Sequence, residues 1–436
     1  MTPRRILFAT MPFDGHFSPL TGLAIYLKEL GHDVRWYAGG AYGEKVKKLG
    51  LPHYPFVKAQ VVNQDNIDSL FPERAKLKGM AKGRFDINQV FLLRASECAD
   101  DLMGIYQDWP FDLIVQDIAF IGGLFVQDIL KVKTVTVGVL PLVESDKNLP
   151  PAGLGKQPAT NLLGRLLQRL TCFMVYKVVF KPCKKLHNQL RQQYGLTPLE
   201  EDFVFDAVVR RADVYLQSGV PNFDYPRKSL SPNVRFVGSL LPYRSGVASS
   251  FSQASKTLNY KWVVLVTQGT FERNVEKILV PTLEAYKNDP DTLVIATTGG
   301  SDTERLRQRY PQDNYIIEDF IDFDAVMPYV SVYVTNGGYG GVMLALKHRL
   351  PIIAAGIQEG KNEIAARIDY AGIGIDLKTE TPKPSQIRRA VNRVLTDDQY
   401  RKQVRRLGEE LDRYQPSQLV EQYINELFAE TSTVLV

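Results

Sequence analysis

The stretch Val334-Thr335-Asn336-Gly337-Gly338-Tyr339-Gly340-Gly341-Val342 constrains this chain more than any other. Ahead of it, Val330 to Val334 is β-branched and aromatic, a strand composition. Behind it, Val342 to Lys347 carries the residues of a helix start. Strand, glycine turn and helix start together form an anion cradle, because first-turn amides lack intrahelical partners and the helix dipole favours negative charge. The spacing is neither the dinucleotide G-x-G-x-x-G nor a P-loop with its Lys-Ser/Thr. Two readings fit the glycines alone: a phosphate site, or a tight βα turn without a ligand.

Such a turn belongs to an α/β sheet, and 436 residues allow two or three domains with ample core. A hydrophobic content of 44% beside 23% charged residues is that of an ordinary globular protein. The net charge is only +5, with basic and acidic residues intermixed, so nucleic acid is not an indicated partner. Cys98, Cys172 and Cys183 are too few and too irregularly spaced for a disulfide framework or a zinc site. A reducing cytoplasm is the natural location. The first residues lack the length and cleavage site of a signal peptide, and no apolar run reaches the roughly 18 residues of a membrane span.

In chain order, Ile6 to Thr10 is an apolar run of the kind buried in a parallel sheet. Pro12 to Pro19 interrupts it, and Leu20, Leu23, Ala24, Leu27 and Leu30 then recur at helical spacing up to Gly31. This places His16 in the loop at the carboxyl end of strand one, the edge where open α/β sheets bind ligands. Asp33 to Ala38 reads as the second strand, and residues 58–85 lack periodicity, as a mobile insertion would. Phe111 to Asp117 is a further buried strand ending in an aspartate on that same edge. Singly, His16 could satisfy turn carbonyls and Asp117 could cap a helix. Together they supply a base and the group that orients it.

From Asn161, a leucine-rich stripe through Leu163, Leu166, Leu167, Leu170, Phe173, Met174 and Val178 alternates with Arg165, Arg169 and Lys177. The expectation is a helix packed on the domain or walling a cleft, with membrane-surface binding as the alternative. Val214 to Gln217 and Val234 to Gly238 read as the last strands of the first half. The serine-rich segment after them reads as a linker. A second series follows: Trp262 to Val266 before a Thr267-Gln268-Gly269-Thr270 turn, Thr292 to Thr298 before Gly299-Gly300, Tyr315 to Ile321, the opening stretch, and Leu350 to Ala354. The division is 1–240 for an acceptor domain, 241–258 for the linker, 259–415 for a donor domain, and 416–436 for a last helix that crosses back.

These motifs carry a resemblance along essentially the full length. Pro12-x-x-Gly15-His16-x-x-Pro19, Gly31-His32-x-Val34, Val266-Thr267-x-Gly269-Thr270 and Phe320 to Arg367 resemble signatures of nucleotide-sugar-dependent glycosyltransferases of the GT-B fold. The fold this implies is α/β, two doubly wound Rossmann-like domains facing across a cleft. His16 and Asp117 are then the catalytic pair of an inverting, metal-independent hexosyltransferase acting from a nucleotide sugar, expected to be a UDP-sugar, without a further cofactor. The resemblance implies donor contacts from Gly15, Thr267, Gly269, Thr270, Asn336, Gly337, Gly338, Gly340 and Gly341. Phe320 is to stack on the pyrimidine while the Ile321 backbone reads its edge. Phe13, Phe120 and Leu140 are position-based candidates for an apolar acceptor pocket, suited to a flavonoid, terpenoid or macrolide. Glycolipid or cell-wall transfer, and a non-catalytic relative that activates a partner, are the alternatives.

The donor signature departs from its family. Asn336 stands for histidine, Gly341 for serine or threonine, Leu344 for glutamate, Arg349 for glycine, and Gly360-Lys361 for an acidic residue and glutamine. Lys361 is a candidate for phosphate or sugar oxygens, or a solvated surface lysine.

Overall fold

The computed structural model describes residues 2–244, 250–269 and 272–433, with side chains through Ala429. Two parallel sheets organise it. The first runs β3-β2-β1-β4-β5-β6-β7, from β1 (Arg5–Ala9), β2 (Asp33–Tyr37), β3 (His53–Tyr54), β4 (Leu113–Asp117), β5 (Lys133–Gly138), β6 (Val214–Gln217) and β7 (Val234–Phe236). The second runs β10-β9-β8-β11-β12-β13, from β8 (Trp262–Thr267), β9 (Thr292–Thr297), β10 (Tyr315–Glu318), β11 (Val332–Thr335), β12 (Ile352–Ala354) and β13 (Gly374–Asp376). Helices cover both faces, so strand residues are buried on both sides: Ile6, Leu7, Phe8 and Ala9 of β1 are fully buried. This is the GT-B architecture of two Rossmann-like domains.

Strand order reverses between β1 and β4 in the first sheet and between β8 and β11 in the second. At such a switch point the connections leave in opposite directions and open a crevice at the carboxyl ends of the strands. The Pro416–Thr433 helix returns to the first sheet, adding Val420, Ile424 and Leu427 to its core. Tyr26 Oη donates to Glu421 at 2.6 Å, and the Arg4 guanidinium lies 3.6 Å from the Phe428 ring centre.

Three elements differ from the sequence expectations. The first helix spans Asp14–Glu29 with Pro19 inside it, so it begins at Asp14 and not near Leu20. Pro19 only deprives the exposed, side-chain-free Gly15 of a helical donor to its carbonyl. The 58–85 segment is ordered, with helices at Ile67–Leu70 and Gly79–Asp86. Buried polar groups hold it in place of apolar periodicity. Asp101 accepts the amides of Val57, Lys58 and Ala59 at 2.8–3.2 Å, and Arg74 clasps Asp86 at 2.7 Å and Asp68 at 3.0 Å. Third, β3, β5 and β13 are strands that no expectation marked. In β5, Thr134 and Thr136 are as buried as Val135 and Val137, which conceals its apolar character.

Candidate functional site

At the first switch point, His16 and Asp117 meet. His16 lies in the first turn of the Asp14–Glu29 helix and not in a loop, while Asp117 ends the adjacent strand β4. His16 Nδ1 lies 2.7 Å from Asp117 Oδ1. The carboxylate is fully buried and tightly held, because the Ala119 amide donates to Oδ1 at 2.7 Å and the Met11 amide to Oδ2 at 2.8 Å. A carboxylate so placed fixes the tautomer that carries its proton on Nδ1, leaving Nε2 as a lone-pair acceptor. Among the described residues Nε2 has no hydrogen-bond partner, and the imidazole is 19% exposed. The pair can therefore abstract a proton from a group in the cleft.

At the second switch point three glycine turns converge. Gly269, Gly299 and Gly337 all have positive φ. A Cβ on Gly299 would come within 3.3 Å of the Gly269 carbonyl, which shows how closely these turns pack. Gly337, at φ +89°, turns the chain out of β11 so that the Tyr339–Lys347 helix points its N-terminus into the crevice. The Val342 amide already bonds the Gly338 carbonyl, whereas the amides of Tyr339, Gly340 and Gly341 precede the first helical acceptor. Gly340 has open space around it. The arrangement can hold an anion through the backbone.

The two halves are clasped beside this site. Tyr339 Oη donates to the Ser218 carbonyl at 2.6 Å, and Arg367 Nε donates to Asp224 at 2.7 Å with both side chains buried. Glu363 accepts the amides of Gly153 and Gly155 at 3.0 and 2.6 Å. The helix that carries His16 also touches the Tyr339–Lys347 helix. The two switch points thus face one crevice. Ser218 and Asp224 had no signal in the sequence, since the Arg367–Asp224 pair joins residues 143 apart.

The remaining expected positions divide. Phe320 is 71% exposed and its ring lies 3.8 Å from where a Gly300 Cβ would stand, an open aromatic face at the turn edge. Ile321 is half-buried beside it. Thr267 is buried, its Oγ1 accepting the Gly269 amide at 3.3 Å. Thr270 lies outside the described residues. Gly15 is exposed in the His16 turn, and the Phe13 ring meets the His16 ring edge-on at 6.0 Å. Leu140 is half-buried, and its carbonyl accepts Gln217 Nε2 at 2.8 Å. Phe120 is a correction: it is fully buried and packs edge-on against Tyr37 at 6.0 Å, so it fills the core instead of lining a pocket.

The departures also have structural reasons. Asn336 is buried, and its Nδ2 donates to the Gln268 carbonyl, tying the β11 turn to the β8 turn. Gly341 is required by Tyr333: a Cβ there would stand 2.8 Å from the phenol oxygen, and burial pushes that phenol up to about 12. Leu344 belongs to the core of the second sheet. Lys361 opens the Lys361–Tyr370 helix with its stem beside Gly337, and its Nζ lies 2.8 Å from Glu359.

Four similarities bear on this geometry. The profile of the erythromycin biosynthesis protein CIII-like family, C-terminal domain, matches residues 287–426. 4'-Demethylrebeccamycin synthase of Lentzea aerocolonigenes is 34% identical over 409 residues, 93% of this chain and 95% of that protein. UDP-glucosyltransferase A1 of Starmerella bombicola is 28% identical over 437 residues, 97% of this chain and 92% of that protein. The solved structure of the kitacinnamycin glycosyltransferase superimposes with a TM-score of 0.76 at 17% identity, over 98% of this chain and all of that one, which shows a shared fold.

Proposed function

The chain belongs to the nucleotide-sugar-dependent glycosyltransferases of the GT-B fold, and on that premise we propose that it moves a hexose from a UDP-sugar to a hydroxyl of an apolar small molecule, with inversion and without a metal. The observation that carries this reading is the buried Asp117 carboxylate holding His16 at 2.7 Å, across the crevice from the glycine turns. An acceptor hydroxyl gives its proton to His16 Nε2 as its oxygen forms the new bond to the anomeric carbon. Asp117 stabilises the imidazolium that results. The bond from that carbon to the diphosphate oxygen breaks on the opposite face, which inverts the configuration. Negative charge growing on the diphosphate meets the amides of Tyr339, Gly340 and Gly341 at a helix N-terminus.

Phe320 offers the pyrimidine a stacking face, and Phe13 stands beside the base as an apolar wall for a flavonoid, terpenoid or macrolide acceptor. In this reading the protein works in the cytoplasm, with 1–240 and the last helix forming the acceptor domain and 259–415 the donor domain. Among the described residues no helix is long and apolar enough to cross a membrane. A non-catalytic role is disfavoured by the intact His16–Asp117 pair, which a binding relative would have no reason to keep.

Release of nucleotide from a panel of UDP- and dTDP-sugars, with and without mixed phenols and alcohols, tests the proposal. Acceptor-dependent release from a UDP-sugar is expected. No release with any donor, or release indifferent to acceptor, would overturn it.

A further inference from the structure

The Leu162–Phe173 helix and the π-helical turn Met174–Val179 after it are amphipathic the wrong way round for a packed element. The side turned to the protein carries Gly164, Gln168 and Cys172: Gln168 is buried and accepts the Ala159 amide at 3.0 Å, and Cys172 donates to the Leu149 carbonyl. The side turned outward carries Leu162, Leu163, Leu166, Leu167, Leu170 and Phe173, each 55–83% exposed, and continues through Met174 and Val178. The expectation that this stripe packs on the domain is reversed. Contiguous apolar surface of this kind marks an interaction site.

Charge identifies the occupant. Between Asp146 and Glu200 the chain has nine lysines and arginines and no aspartate or glutamate. Arg165 and Arg169, one turn apart, border the stripe, and Lys181 and Lys185 follow on the next helix. All four are exposed and form no ion pair among the described residues. A second copy is a poor fit, because a two-fold contact would set these cations against one another. The leucines form a ridge too exposed to be the wall of a groove. An apolar ridge with a cationic border matches a bilayer interface, where leucines enter the acyl boundary and arginines stay with anionic headgroups.

We propose that this helix seats the protein on anionic membrane surfaces. The loop leading into it hydrogen-bonds the Lys361–Tyr370 helix of the second domain, through Asn362 Nδ2 to the Gly153 carbonyl at 2.9 Å and the Gly153 and Gly155 amides to Glu363. Seating the helix therefore brings the rim of the crevice to the lipid. The inference is independent of the catalytic proposal, since it concerns surface residues that take no part in it.

Flotation of the full chain with phosphatidylcholine vesicles, with and without phosphatidylglycerol, tests it. The protein should float with the anionic vesicles and much less with neutral ones. The pair Leu166→Gln with Leu170→Gln should lower partitioning about tenfold per leucine, and Arg165→Gln with Arg169→Gln about fivefold per arginine. Because all four side chains are exposed, circular dichroism and nucleotide release should match the parent. Failure to float, equal binding to neutral vesicles, or undiminished flotation of the leucine variant would each overturn the proposal. So would a concentration-dependent dimer, seen by sedimentation, that the leucine variant abolishes without any flotation of the parent.

Discussion

The two switch points solve the same topological problem with different material. At β1 and β4 the crevice is furnished by side chains, a histidine on a helix and a buried carboxylate on a strand, 2.7 Å apart. At β8 and β11 it is furnished by backbone, with glycines at positive φ and first-turn amides. A side-chain site fails when one atom changes, whereas a backbone site survives substitution as long as the turn keeps its shape. That contrast accounts for where the departures fall. His16 falls within a motif shared with the family, while Asn336, Gly341, Leu344 and Lys361 depart from its signature. The changed residues brace or pack the turn, and the amides remain.

The largest effect that can test this contrast is at His16. His16→Ala should lower turnover by a hundredfold or more, as loss of a general base does, with nucleotide-sugar affinity nearly unchanged. Activity within about threefold of the parent would remove the side-chain half of the comparison. Asp117→Asn comes next. The isosteric amide keeps the volume, but its acceptors and donors no longer match the Met11 and Ala119 amides and His16 together. A loss of similar order, with the fold retained by circular dichroism, is expected. A fully active Asp117→Asn would reduce Asp117 to a cap.

At the second site the same logic predicts smaller losses. Lys361 is a cation beside the Gly337 turn, at a position where the family resemblance implies an uncharged glutamine. If it reaches donor oxygens, Lys361→Ala should weaken nucleotide-sugar affinity by the roughly 1.5–3 kcal/mol of a charge-assisted hydrogen bond. Asn336→Ala should move stability more than affinity, because its amide serves the Gln268 carbonyl. Calorimetry on both variants separates the two roles. Collapse of affinity in Asn336→Ala with none in Lys361→Ala would mean that the amide is the phosphate contact after all. Gly341→Ser probes the turn itself. Its side chain would crowd the Tyr333 phenol, costing about 1–3 kcal/mol as overpacking does. Adding Tyr333→Phe should recover most of that loss. No recovery would show that the serine disturbs the helix start and not the phenol.

The fold was legible because its strands announce themselves: Ile6 to Ala9 and Trp262 to Thr267 are apolar runs that only a doubly covered sheet can bury. The placement of His16 and Asp117 on one edge followed from the same strands. What stayed hidden depended on long-range polar contacts or on orientation. Asp101 orders the 58–85 segment from more than forty residues away, Arg367 finds Asp224 across the domains, and β5 buries threonines. The 161–180 stripe shows the deeper limit. Helical spacing reveals that an apolar face exists, but its direction depends on what Gln168 and Cys172 bond, and periodicity carries no trace of that. Phe120 failed for a related reason, since position after β4 does not say which side of the sheet a ring enters.

The smallest expected effect lies at the other end of the Tyr339–Lys347 helix, where a departure touches neither site. Arg349 sits just past the helix C-cap at φ +58°, the left-handed conformation in which helices commonly end on glycine. A Cβ in that region costs about 1 kcal/mol relative to glycine. Against this, Arg349 pairs with Asp412 and donates to the Lys347 carbonyl at 2.8 Å. Both partners of the ion pair are more than a third exposed, so solvent screening limits the pair to about 0–1 kcal/mol. Arg349→Gly relieves the strain and loses the pair, leaving stability within about 0.5 kcal/mol of the parent. Arg349→Ala loses the pair and keeps the strain, and should fall about 1 kcal/mol below the glycine variant. Denaturant midpoints at constant m-value measure both. Equal stability of the two variants would show that no strain is stored there. A glycine variant far below the parent would show instead that the Arg349–Asp412 pair pins the helix end.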